Sequence, residues 1–106
     1  MKTQDVIDRY NDYPQVWTEE EQVKQLAVSL IIQAIKDVHY LCNNLTSNVL
    51  RHNKNLFLDL KDFFNKEIEI LVEKVKLQLD IQIAIRATML QLVLIECTYK
   101  EMGIAL

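Results

Sequence analysis

Two histidines and two cysteines are the residues of this sequence best suited to bind a metal ion. His39 and Cys42 lie three positions apart, which places them on one face of a helix, and His52 and Cys97 would complete a set of four ligands. Zinc sites usually present tight pairs of ligands on turns, and Cys97 has no second ligand near it in the sequence. We therefore predict no metal site and no cofactor, and expect free, buried thiols in a reducing compartment.

Four acidic residues in the second half of the chain suggest a different chemistry. Asp59, Asp62, Glu69 and Glu73 would let facing helices hold magnesium for the hydrolysis of a phosphate-containing small molecule. The all-α nucleotide pyrophosphohydrolases that work in this way carry Glu-x-x-Glu on one helix and Glu-x-x-Asp on the next, and this chain has neither pair. A metal-dependent hydrolase is therefore the alternative hypothesis, and surface carboxylates are the preferred interpretation.

Other enzyme classes and nucleic-acid binding lack support in the sequence. The serines have no glycine-rich elbow around them, and a single glycine cannot build a phosphate-binding loop. The net charge is −3 and no basic cluster is present, which argues against binding a phosphate backbone. We assign no catalytic residue and expect no nucleic-acid partner.

Aromatic residues near the N-terminus are the best candidates for contact with another protein. Tyr10, Tyr13 and Trp17 lie among acidic residues in a segment too short to bury them in a core of its own. They pack either on the rest of this protein or on a partner. We take them as the hypothetical partner-binding residues.

Length and composition indicate one globular domain covering residues 1–106. Half of the residues are hydrophobic, which is enough for a core, and the scarcity of glycine and proline disfavours the turns that many strands need. The first residues lack the apolar segment of a signal peptide, and the longest apolar run, residues 89–95, is too short to span a bilayer. We expect a cytoplasmic protein with no membrane contact.

The periodicity of apolar residues predicts an all-α fold with three helical regions. Residues 1–16 form a short N-terminal arm, residues 18–44 a long helix that begins with a capping box at Thr18, and residues 54–102 either one helix or two with a bend near residue 80. An asparagine-rich stretch, residues 43–55, is the predicted connection. Gly103 is the predicted C-cap of the last helix.

Residues 75–86 carry two conflicting patterns. Their apolar and polar residues alternate strictly, which is typical of a half-buried strand. A single strand without flanking turn residues has no partner for its backbone hydrogen bonds, so we reject the strand in favour of a helix.

As a helix, residues 75–95 present two apolar stripes. The first stripe consists of Val75, Leu79, Ile83, Leu90, Val93 and Leu94. The second stripe consists of Leu77, Ile81, Ile85, Leu92 and Ile95. A helix with two apolar sides must be covered on both, which a dimer achieves more easily than a chain of this size alone. We predict a homodimer with the second stripe at its interface.

Together these features predict a small, dimeric bundle of long antiparallel helices with an N-terminal helical arm. The predicted function is that of a non-catalytic protein-interaction module, for example an adaptor, inhibitor or regulator. Its expected partners are a second copy of itself and another protein.

Overall fold

The computed structural model describes the backbone of residues 19–106 and the side chains of residues 21–106. Within this range all regular structure is helical and no strand is present, so the all-α prediction is confirmed there. The helices are α1 (Glu19–Asn43), α2 (Ser47–His52), α3 (Lys54–Asp62), α4 (Ile68–Val75) and α5 (Leu79–Glu101). A π-helical segment, Phe63–Glu67, joins α3 to α4, so that residues 54–75 form one continuous helix.

The long helices α1 and α5 pack against each other and form most of the core. The side of α1 that faces the core consists of residues spaced three and four apart, as the periodicity predicted. They are Leu26, Ala27, Leu30, Ile31, Ala34, Val38 and Leu41, each at most 2% exposed. The continuous helix 54–75 covers the remaining part of this core through its α3 and α4 portions.

A hydrogen bond ties α5 to the start of the second half of the chain. Tyr99 is fully buried, and its hydroxyl donates to the backbone carbonyl of Leu50 at 2.6 Å. Its ring also packs on Phe57, with 5.0 Å between ring centroids. Burial raises the pKa of the Tyr99 phenol, which keeps the hydroxyl protonated as a donor.

The predicted connection 43–55 contains an additional helix. Its first turn is capped by Thr46, whose hydroxyl oxygen accepts a hydrogen bond from the backbone N–H of Val49 at 3.3 Å. The side-chain amide of Asn53 donates to the carbonyl of Val49 at 2.8 Å, where α2 ends. The polar residues that suggested a loop therefore serve as helix caps, and the helix between them is α2.

The π-helical segment allows two adjacent phenylalanines to be buried. Phe63 and Phe64 are both fully buried and meet edge to face at 5.4 Å. A π-turn takes more residues than an α-turn, so Leu60, Phe64 and Ile68, each four apart, remain directed towards the core.

Residues 54–102 form two helices rather than one. Lys76 takes a left-handed conformation with φ 48°, which ends α4. The side-chain amide of Gln82 then donates to the carbonyl of Leu77 at 2.8 Å, in the first turn of α5. The alternating pattern of residues 75–86 thus spans a helix end, a three-residue turn and a helix start.

The C-terminus of α5 has the predicted glycine cap. Gly103 has φ 69°, its N–H donates to the carbonyl of Lys100, and the N–H of Ile104 donates to the carbonyl of Tyr99. These two bonds define a Schellman motif. Ile104 packs back against the core.

Candidate functional site

The stripe of α5 that was predicted to face a second copy faces the core of the chain instead. Leu77, Ile85, Leu92 and Ile95, from the predicted dimer interface, are at most 5% exposed and belong to the core of the chain itself, and Ile81 packs against that core. The prediction of these residues as a dimer interface is corrected accordingly. The physical reason is that α1 covers this side of α5 within one chain.

Val75, the first member of the first stripe, ends α4 and is buried. The members that lie on α5 instead form a large exposed apolar surface, which we call the outer face of α5. It consists of Leu79, Ile83, Leu90, Val93 and Leu94, whose exposed fractions run from 55% to 70%. Leu94 lies on the side of α5 opposite to Ile85 and Leu92. A large aliphatic side chain corresponds to on the order of 100 Å² of apolar area, so the outer face presents roughly 300 to 400 Å². Apolar patches of that size on a folded protein are often functional.

The outer face follows the spacing of a coiled-coil seam. Leu79, Ile83, Leu90 and Val93 occupy positions of a 4-3-4-3 repeat, in which Arg86 takes the position between Ile83 and Leu90. Cys97 continues the repeat and is exposed, contrary to the expectation of a buried thiol. Cys42 is half-buried, and its burial raises the pKa of its thiol.

A groove runs beside the outer face, between α5 and the continuous helix 54–75. One part has a volume of about 430 Å³ and an adjoining part about 300 Å³, with Arg86 and Met89 lining both. Leu90 and Val93 belong to the outer face and also line the larger part. The apolar surface therefore continues from the crest of α5 into the groove.

An ion pair closes part of the groove wall. Lys61 Nζ lies 2.8 Å from Glu96 Oε1 and joins α3 to α5. The hydrogen bond from Lys61 lowers the pKa of the Glu96 carboxyl. This pair was not anticipated, because its members are 35 positions apart and each lies on a polar side of its own helix.

The carboxylates required by the hydrolase hypothesis are not gathered into a site. Asp62 pairs with Lys66 at 2.9 Å within its own helix, while Glu69 and Glu73 line the smaller part of the groove beside Arg86. Within residues 21–106, no three His, Cys, Asp or Glu side chains lie close enough together to share a metal ion.

The predicted partner-binding residues Tyr10, Tyr13 and Trp17 lie outside the described residues. They stay a prediction from the sequence.

By length and composition, α5 is also sufficient to cross a membrane. Its most apolar stretch has a mean hydropathy of 1.4, and 22% of that stretch is buried. The longest continuous apolar run, residues 89–95, does not reveal this length, because polar residues interrupt the apolar residues of α5. The same criterion is met by core helices of water-soluble proteins, so it is weak evidence for a span.

Comparison with known proteins adds no further constraint on this surface. No protein-family model, curated protein or solved structure matches the chain.

Proposed function

We propose that this protein is a non-catalytic interaction module that acts as a homodimer, with the outer face of α5 as its self-association surface. The observation that carries the proposal is the exposure of five large aliphatic side chains along one side of a well-packed helix. Among the described residues no helix covers them, because α1 packs on the opposite, core-facing side of α5, so burying them on a second copy would be favourable.

The size of the outer face is adequate for a specific interface. A standard interface buries about 800 Å² per partner, of which a little over half is apolar. The outer face supplies roughly 300 to 400 Å² of apolar area. The apolar walls of the adjoining groove extend it.

A protein surface explains the outer face better than a lipid bilayer does. A span by α5 would bring Arg86 and Glu96 into the hydrocarbon region, where charged side chains are costly. A helix lying on a membrane surface usually has a basic polar side, whereas this chain has a net charge of −3.

Replacing Leu90 by aspartate tests self-association through this surface. Leu90 is 69% exposed in the single chain, so Leu90→Asp should leave the fold intact but place a charge at the centre of the interface. Loss of one buried leucine alone costs about 1.5–3 kcal/mol, so we expect the dimer dissociation constant to rise at least tenfold. Light scattering coupled to size exclusion, run at several protein concentrations, measures this.

The matched control is Ile32→Asp. Ile32 is 45% exposed and lies on α1, on the side away from the core. This variant should keep the wild-type dissociation constant. A wild-type protein that is monomeric at every concentration, or a Leu90→Asp variant that dimerises as well as Ile32→Asp does, would contradict the proposal.

The second part of the proposal is that the dimer binds another protein through Tyr10, Tyr13 and Trp17. Large aromatic side chains supply most of the binding free energy at many interfaces. The double variant Tyr13→Ala/Trp17→Ala should therefore lose capture of a cellular protein while its circular dichroism is unchanged. Tyr40→Ala, at a 52% exposed tyrosine of α1, is the control that should retain capture. Equal capture by both variants would place the partner surface elsewhere.

A further inference from the structure

The outer face of α5 has an arrangement of charges that distinguishes between orientations of a second copy. Arg86 lies in the apolar seam, and Lys100 continues the same repeat after Cys97. Two identical helices paired in parallel would bring each of these cations level with its own counterpart. Like charges facing each other across an interface are strongly unfavourable.

We propose that two copies of this chain pair through their α5 helices in antiparallel orientation, with Leu90 of one copy level with Val93 of the other. This inference rests on the proposed function, because it assumes that the outer face is the self-association surface. The occupant of the outer face is thus a second copy of the same helix.

The antiparallel register separates the like charges. The two Arg86 residues are then 11 positions apart along the paired helices, or about 16 Å at the α-helical rise per residue. The two Lys100 residues are farther apart, on opposite sides of the twofold axis.

The same register creates complementary charges. Arg86 of each copy comes within about one position of Glu96 of the other copy, on the same flank of the helix pair. Glu96 already accepts a hydrogen bond from Lys61, and its side chain remains 27% exposed. The twofold axis repeats this contact, so the interface gains two cation–carboxylate contacts.

The apolar residues of the outer face are also compatible with this arrangement. The 4-3 spacing matches the seam of paired helices, with Leu90 and Val93 near the axis. Ala87, exposed on the other flank, comes within about two positions of Leu94 of the second copy, so a small residue lies beside a large one.

Engineered cysteines test the orientation directly. Cys42 and Cys97 are first replaced by alanine in the full chain, and Ile83→Cys and Lys100→Cys are made separately in that background. Residues 83 and 100 are 17 positions apart on one helix, or about 25 Å, so no disulfide can form within a chain. In the antiparallel register, residue 83 of one copy is level with residue 100 of the other.

Each orientation gives a different product under mild oxidation. The antiparallel pair predicts a disulfide-linked dimer only when the two variants are mixed, and little for either variant alone. A parallel pair predicts self-linked dimers of each variant alone, which would overturn the inference while leaving the homodimer intact. The product is quantified by non-reducing electrophoresis and mass spectrometry.

Failure of the proposed function has a separate signature. A variant background that light scattering shows to be dimeric, but that gives no cross-link in any mixture, places the interface away from α5. A monomeric protein that sediments with phosphatidylcholine vesicles would instead identify the outer face as a lipid-binding surface. Either result overturns the pairing of α5 helices.

Discussion

Ile85→Asp is expected to unfold this protein, whereas Ile83→Asp, two positions earlier on the same helix, is expected to leave it folded. Ile85 is 4% exposed and Ile83 is 57% exposed, so only the first substitution places a carboxylate inside the core. An unpaired buried charge costs several kcal/mol, which is comparable to the whole free energy of unfolding of a small domain. The thermal unfolding of both variants, followed by circular dichroism, measures the difference.

The same pair of variants tests which stripe of α5 faces the core. If Ile83→Asp unfolds the chain and Ile85→Asp does not, the second stripe faces outwards, as the sequence alone suggested. With the arrangement described above, Ile83→Asp should be a folded protein with weakened self-association. Its solution mass therefore provides an independent check on the outer face.

Phe57→Ala is expected to lower the free energy of unfolding by about 3–5 kcal/mol. Phe57 is fully buried and its ring contacts Tyr99, so the truncation leaves a cavity where α3 meets α5. For a chain of this size, the loss corresponds to a fall in Tm of more than about 10 °C. Urea unfolding monitored by circular dichroism, at one fixed protein concentration, gives the value.

Tyr40→Ala serves as the matched aromatic control for this experiment. Tyr40 is 52% exposed, and its replacement should change the free energy of unfolding by no more than about 0.5 kcal/mol. A loss of less than about 1 kcal/mol for Phe57→Ala would mean that Phe57 and Tyr99 do not pack as described.

Features of the fold that depend on local chemistry were predictable from the sequence. The apolar spacing from Leu26 to Leu41 specifies one side of α1, and the predicted end at residue 44 lies one residue beyond the observed end at Asn43. Gly103 was identifiable as a C-cap because a left-handed residue after a helix is usually glycine. The end of α4 at Lys76 carries no such signal, because a lysine seldom adopts a positive φ.

Periodicity could not show which side of α5 faces the core. Ile83 and Ile85 have the same side chain, and both stripes are apolar along their length. Which stripe is buried depends on how α1 and the continuous helix 54–75 approach α5, and this is a tertiary choice. The sequence therefore identified the helix that carries the candidate site and an excess of apolar surface on it, but assigned the surface to the wrong side.

Signals for parts of the candidate site were nevertheless present in the sequence. The 4-3 spacing that leads from Leu79 through Val93 to Cys97 places Cys97 beside the first stripe, so its exposure follows once that stripe faces outwards. The ion pair between Lys61 and Glu96 has no comparable signal, because it depends on the relative position of two helices.

The packing of α1 on α5 also has a consequence for the order of events on the ribosome. The helix that is synthesised first among the described elements finds its most extensive contact with the helix that is synthesised last. Tyr99, whose hydroxyl donates to the carbonyl of Leu50, lies in the last turn of α5. A nascent chain therefore carries much of the apolar side of α1 uncovered until α5 has emerged from the ribosome, and the native core closes only after that.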